Sequence, residues 1–179
     1  MANNQASLLL QKQLKGLSFI FDSSRGSIVS LSLYRSELIC ARNRLMVSQL
    51  GSLMRITFSS GAEGGFFNAI MTFPQDYPNK PPTVKFTSEV WHPNVYSDGK
   101  VCISILHPPG DDPNGYELAS ERWNPVHTVE SIVLSIISML SGPNDESPAN
   151  VEAAKEWRDN RAEFRKKVSR CVRRSQEML

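Results

Sequence analysis

The sequence predicts a single domain that contains both strands and helices, and two observations lead to this prediction. In residues 66–73, apolar side chains alternate with mostly polar ones, a period of two that is typical of a strand. In residues 129–140, apolar side chains recur every three to four positions, which is typical of a helix packed on a core. Because the chain has neither internal repeats nor a linker, we interpret residues 1–179 as one domain.

The first third of the chain gives the weakest pattern. Residues 6–15 predict a short amphipathic helix that ends at Gly16. Residues 27–34 and 53–58 could each form a strand. The turn-rich segment 59–65 then predicts a hairpin into the strand at 66–73.

Two loops interrupt the middle of the chain. Residues 73–82 contain four prolines, which remove backbone donors and predict a rigid loop before a strand at 83–87. Residues 107–122 form a long polar segment, and loops of this length are usually functional or disordered.

Three helices are predicted after residue 127. Thr128 is a good first cap, and Gly142–Pro143 ends that helix. Asn150 begins the second helix, and Asn160 with Glu163 begins the last. The outer face of the last helix is basic; a solvated face is the ordinary interpretation and a partner-binding face is the alternative. Its cations are Arg161, Arg165, Lys166, Arg173 and Arg174.

Composition narrows the class of protein. A net charge of +2 gives no case for a nucleic-acid partner, and no apolar run is long enough to span a membrane. The first residues lack the pattern of a secretory signal. Three cysteines without a close pair argue against a disulfide framework and a zinc site. We therefore expect a cytoplasmic protein in a reducing compartment.

Cys102 is the candidate nucleophile. It lies eight residues after the tripeptide His92–Pro93–Asn94 and follows a turn signal at Asp98–Gly99. A lone cysteine is usually a small buried hydrophobe, and we interpret Cys40 and Cys171 in that way. At Cys102, a turn led by Asn94 would instead place a neutral amide donor near a thiol, a setting suited to acyl chemistry on sulfur.

These motifs together resemble the ubiquitin-conjugating enzyme family. The resemblance rests on the proline pattern of residues 73–82, the tripeptide, Cys102, Trp123 and the Pro143–Asn144 turn. Residues 102–107 and the Gly-Asp-Asp loop after them are similar to a subgroup with an acidic insertion after the cysteine. That subgroup serves degradation at the endoplasmic reticulum, and the plant members in particular are similar. The resemblance covers residues 1–15 and about 63–179, whereas residues 16–62 do not match.

The resemblance implies an α+β fold. Its parts are a four-stranded antiparallel meander, an N-terminal helix, a central helix and two C-terminal helices. Residues 16–62 are uncertain, but they would have to supply two of the strands. The resemblance implies neither a cofactor nor a metal.

The resemblance also implies residue roles and partners. Cys102 would accept ubiquitin as a thioester from the activating enzyme and pass it to a substrate lysine. Asn94 would support the loop or stabilise the oxyanion. The remaining candidates are His92, Pro93 and Asp98 in the supporting loop; Asp111, Asp112 and Glu117 in the acidic loop; and Lys12, Asn79, Lys80, Asn124, Pro125 and Val126 as contacts of a RING-type ligase. Partners would recruit the protein to the endoplasmic reticulum surface.

Two alternatives remain open from the residues. The departure at 16–62 allows a non-catalytic binding module of the ubiquitin system. A cysteine hydrolase would pair Cys102 with one of the three histidines, His92, His107 or His127.

Overall fold

The computed structural model describes residues 31–34, 50–59 and 64–177. Four antiparallel strands form one meander in chain order: β1 (Leu31–Tyr34), β2 (Leu50–Ser59), β3 (Gly64–Phe73) and β4 (Thr83–Phe86). The β2–β3 register runs from Leu50 opposite Phe73 to Ser59 opposite Gly64. The predicted hairpin is therefore confirmed, and the 16–62 segment supplies the first two strands. The predicted N-terminal helix, with Lys12, and Cys40 lie outside the described residues.

The alternation in β3 places one face of the sheet in the core. Phe67, Ala69, Met71 and Phe73 are buried, whereas Ile70 between them is exposed. This is the outcome expected when successive side chains point to opposite faces.

The central helix, α1 (Val129–Ser141), covers that buried face. Thr128 and Ser131 form a reciprocal capping box: Thr128 Oγ1 accepts from the Ser131 amide at 3.2 Å, and Ser131 Oγ accepts from the Thr128 amide at 2.9 Å. Ile132, Val133 and Ile136 are fully buried. The predicted start and end of this helix are both confirmed, because Gly142 follows its last turn.

The two last helices are α2 (Val151–Asp159) and α3 (Arg161–Glu177). Asn150 caps α2 by accepting from the Ala153 amide at 3.1 Å. At the far end of α3, Ser175 Oγ accepts from the Phe66 amide at 3.0 Å, which ties the helix to β3. Cys171 is buried on the inner face of α3, as its spacing predicted.

Candidate functional site

Cys102 lies on a short extended segment beside the tripeptide. Its amide donates to the Asn94 carbonyl at 2.9 Å, and the neighbouring Val95 and Val101 form a bridge. A single 3₁₀ turn, Ser104–Leu106, follows. Cys102 is half-buried, so the fold holds the residue while part of its surface stays open to solvent.

A tight turn brings the tripeptide and the cysteine together. The Gly99 amide donates to the Tyr96 carbonyl at 2.8 Å, and Asp98 Oδ1 accepts from the Lys100 amide at 3.0 Å. Gly99 has a φ of +90°, and a Cβ there would lie 2.2 Å from the Phe86 carbonyl oxygen. Only glycine fits this position without strain, which explains the Asp-Gly signal in the sequence.

The Asn94 amide does not point at the thiol. Its Nδ2 donates to the Asn144 carbonyl at 2.7 Å, and its Oδ1 accepts from the Asn144 amide at 2.8 Å. The residue is 3 % exposed. The sequence had suggested a free donor close to sulfur; in the structure, the side chain instead pairs with a distant backbone segment and fixes it to the cysteine loop.

We expect Asn94→Ala to lower the free energy of unfolding by about 2–4 kcal/mol, because both Asn144 backbone groups lose their buried partner. Asn124→Ala is the matched control, since Asn124 Oδ1 also accepts from a backbone amide, that of Val126 at 3.2 Å, but in an exposed loop. The measurement is urea unfolding of both variants. Equal small losses would show that the Asn94 pairing adds no stability.

His92 is a structural residue of the same loop. Its Nδ1 accepts from the Asn94 amide at 3.0 Å, and the side chain is buried. Burial lowers the pKa of His92 to about 4, and the backbone of Met139 opposes this only in part. The ring is therefore neutral at pH 7 and holds the turn by accepting a hydrogen bond.

This burial predicts a pH dependence of stability. The ordinary histidine pKa of 6.5 applies to the unfolded chain, so the unfolded state takes up the proton first as pH falls. Stability from a neutral His92 is thus complete above pH 6.5 and is lost as pH falls towards 4. In His92→Asn, Oδ1 can still accept from the Asn94 amide, but the side chain does not titrate. The difference in free energy of unfolding between wild type and this variant should therefore become smaller by about 2 kcal/mol between neutral pH and pH ~5. Urea unfolding at both values checks this, and an unchanged difference would contradict it.

Of the three histidines, His107 is the one that reaches the sulfur. Its Nε2 lies 3.5 Å from Cys102 Sγ, and its Nδ1 lies 2.8 and 2.9 Å from the two Glu117 oxygens. A carboxylate only accepts, so Nδ1 carries the proton and Nε2 of the neutral ring is a free acceptor facing the thiol. His92 is occupied as described, and His127 packs against the Trp123 ring with centroids 5.7 Å apart.

Glu117 also organises the long loop after the cysteine. Besides His107, it accepts from Ser104 Oγ at 2.8 Å and lies 3.6 Å from the nearly buried Arg122 Nε. The loop ends are joined because the Trp123 amide donates to the His107 carbonyl at 3.1 Å. Glu117 therefore holds the loop against the cysteine segment.

Asp112 folds the tip of this loop. Its carboxylate accepts from the amides of Asn114, Tyr116 and Glu117. These bonds, that of Asn114 first, lower the pKa of the Asp112 carboxyl. Asp111 is exposed on the same loop. Two of the three predicted acidic residues thus serve the loop itself, and one projects into solvent.

The two loops that the resemblance assigned to a ligase lie side by side. Trp123 Nε1 donates to the Pro78 carbonyl at 2.8 Å, which joins the proline-rich loop to the segment after Trp123. On the first loop, Lys80 pairs with Asp76 at 2.7 Å. On the second, the Val126 side chain is 77 % exposed. Asn79, Asn124 and Pro125 are exposed around these residues.

The structure selects His107 among the three histidines and adds three residues to the site that the sequence does not single out. Tyr96 Oη donates towards Cys102 Sγ at 3.8 Å, and this contact raises the pKa of the phenol. The other two are Ser104 and Arg122, which both lie against Glu117. No periodicity reveals them, since loop side chains meet through the path of the backbone.

Neither a candidate metal site nor a helix fit to cross a membrane is found in the part of the chain that the structure describes. Within residues 31–34, 50–59 and 64–177, no group of three or more His, Cys, Asp or Glu side chains could hold a metal ion. Among the helices of that part of the chain, none has both the length and the apolar character to cross a membrane.

Comparison with known proteins gives one consistent result. Residues 48–172 match the family model described as ubiquitin-conjugating enzyme. The chain is 71 % identical to "Ubiquitin-conjugating enzyme E2 14" of Arabidopsis thaliana, with 100 % of both chains covered. It is 81 % identical over 117 residues to "Ubiquitin-conjugating enzyme E2 7" of Triticum aestivum, covering 65 % of this chain and 69 % of that protein. The family match begins inside the segment 16–62 that we expected to depart from the pattern.

A solved structure is also similar. It is described as a ubiquitin conjugating enzyme from Plasmodium yoelii, and the TM-score is 0.68 at 28 % identity. The similarity covers 96 % of this chain and 95 % of the other. The α+β architecture predicted from the sequence is therefore confirmed.

Proposed function

Since the chain belongs to the ubiquitin-conjugating enzyme family and is itself such an enzyme, we propose that Cys102 is the residue that carries ubiquitin as a thioester. The observation that carries this proposal is the contact of the half-buried Cys102 with His107, whose Nε2 lies 3.5 Å from the sulfur. No finding favours the non-catalytic module.

Charging of Cys102 is a transthioesterification, in which the acyl group moves from one thiol to another. Cys102 sulfur attacks the carbonyl carbon that joins ubiquitin to the activating enzyme, a new C–S bond forms, and the thiol of the activating enzyme leaves. The Cys102 proton must depart as the bond forms, and the lone pair on His107 Nε2 is placed to take it.

Transfer to lysine needs a second round of proton transfer. A lysine ammonium has a pKa of roughly 10.4 in water, so it must first lose one proton to solvent. The attacking nitrogen loses another as the C–N bond forms and the C–S bond breaks, and the leaving Cys102 sulfur finally takes up a proton to become the thiol again. His107 is again in reach, and Glu117 stabilises the resulting imidazolium. Asn94 supports the loop from behind in this mechanism, since its amide is bound to Asn144.

Two surface features, the loop at 107–122 and the pair of joined loops that includes Val126, support finer proposals about the subgroup and the ligase. The loop at 107–122 supports membership of the subgroup with an acidic insertion, and with it service in degradation at the endoplasmic reticulum through partners that recruit the protein. The joined loops with exposed Val126 support docking of a RING-type ligase. We also propose that residues 1–179 form one domain, because the Arabidopsis relative aligns along the whole chain.

The proposal is tested with the wild-type chain, ubiquitin, activating enzyme and ATP on a non-reducing gel. We expect an adduct that reducing agent removes, with the modified tryptic peptide containing Cys102. Ubiquitin binding without an adduct would support the module instead. Release of free ubiquitin from a ubiquitin ester without activating enzyme would support a cysteine hydrolase.

A further inference from the structure

Charge is unevenly divided between α3 and the rest of the chain. Helix α3 carries seven Lys or Arg side chains and two carboxylates, a net charge of +5, whereas the whole chain has +2. The remaining residues therefore sum to −3. An almost neutral protein thus presents one strongly cationic helix.

The cations of α3 lie away from its packed face. Phe164, Cys171 and Ser175 are buried on one side of the helix, and at 100° per residue four exposed cations form a stripe that points between about 100° and 180° away from that side. That stripe, the α3 basic face, consists of Arg165, Lys166, Arg170 and Arg173. It extends for about 12 Å along the helix.

Most of this charge is not neutralised within the fold. Lys166 lies 3.6 Å from Glu163, and Arg174 beside the stripe pairs with Glu89. Over the ranges that the structure describes, Arg165, Arg170 and Arg173 form no ion pair. Neighbouring cations stand about 6 Å apart, within one Debye length, so an approaching anionic surface meets their combined field.

The side chains of the α3 basic face favour one kind of anionic partner. In protein interfaces, aromatic anchors accompany arginine at the energetic hot spots, yet the large apolar side chains found exposed in the described residues all lie outside α3. Small Ala162 and Ser169 lie among the cations and leave the guanidinium groups free to reach a plane. Because the inner face of α3 is packed on β3, the helix cannot insert its apolar side into lipid.

We propose that the α3 basic face is a peripheral binding surface for a bilayer containing anionic phospholipids. Contact is electrostatic and non-penetrating: the guanidinium groups bind lipid phosphates, and the protein lies on the surface without crossing it. This inference is independent of the proposed role of Cys102.

The test is co-sedimentation of the full chain with phosphatidylcholine vesicles containing about one third phosphatidylserine. We expect binding at low salt, loss of binding at high salt, and little binding to pure phosphatidylcholine. The triple variant Arg165→Glu, Arg170→Glu, Arg173→Glu should bind at least about 100-fold more weakly. The triple glutamine variant at the same positions should show a smaller loss of vesicle binding. It still tests the proposal if the triple glutamate variant does not fold.

The matched control is Lys80→Glu, Lys100→Glu, Lys155→Glu, which changes the net charge equally at exposed positions outside α3. It should keep most of the binding. If the control variant lost as much vesicle binding as the α3 variant, net charge alone would explain the effect and the proposal would be overturned. So would failure of the wild-type chain to bind serine-containing vesicles at low salt, or capture of duplex DNA under conditions in which vesicles are ignored.

Discussion

Cys102→Ala is expected to abolish ubiquitin charging completely, because the other cysteine among the described residues, Cys171, is buried on α3. Cys102→Ser should still form an adduct, but as an oxyester that reducing agent does not remove. A hydroxyl is a far weaker nucleophile than a thiolate, so this adduct should form more slowly. The measurement is the rate and the thiol sensitivity of the adduct on a non-reducing gel.

Cys171→Ala is the control for this experiment. Cys171 is 4 % exposed, and burial raises the pKa of its thiol, so it should neither accept ubiquitin nor be needed for charging. A thiol-labile adduct that survives Cys102→Ala would contradict the assignment. Loss of charging in both alanine variants would point to a general folding defect, which thermal unfolding of each variant would reveal.

The second large effect is expected at His107. In His107→Ala, discharge of a preformed thioester to free lysine should slow about 100-fold, the lower range for losing a positioned acid–base group. Charging should fall less, since exchange between two thiols does not require a neutral amine. Glu117→Ala should approach the same loss, because Nδ1 then lacks the carboxylate that fixes the tautomer of the ring and stabilises the imidazolium formed when Nε2 takes up a proton. Single-turnover discharge measures both variants.

Asp111→Asn separates this effect from the charge of the loop. It removes one carboxylate from the same loop at an exposed position away from the His107 contact. If His107 acts as the proton acceptor, Asp111→Asn should discharge nearly as fast as wild type. If the loop acts by its net charge alone, Asp111→Asn and Glu117→Gln should slow discharge equally, and the His107 mechanism would be wrong.

Local patterns sufficed for the elements whose residues face the core or end a helix. The alternation at 67–73 defines β3 because one side of a sheet is buried. Thr128 and Asn150 could be recognised as caps because a cap acts on an amide only three residues away. The proline-rich loop was likewise predictable, since each proline constrains its own backbone.

The site was predictable only in part. The sequence singled out Cys102 by its turn and its distance from the tripeptide, and the turn is present with Gly99 at positive φ. The partner of Asn94 was not predictable, because Asn144 is fifty residues away and meets it through the packing of α1. The same applies to the contact of Cys102 with His107, which depends on where Glu117 holds the ring.

The sequence alone determined which residues are available for chemistry, where strands and helices alternate, and which cysteine follows a turn. These features arise from interactions along a few neighbouring residues, and they leave a readable period or motif. The tertiary structure decided what each polar side chain does. In the fold, Asn94 pairs with a backbone segment, His107 lies against the sulfur and Glu117 holds the loop. Hydrogen-bond partners that are distant in the chain depend on three-dimensional proximity, and the spacing of residues in the sequence does not encode that proximity.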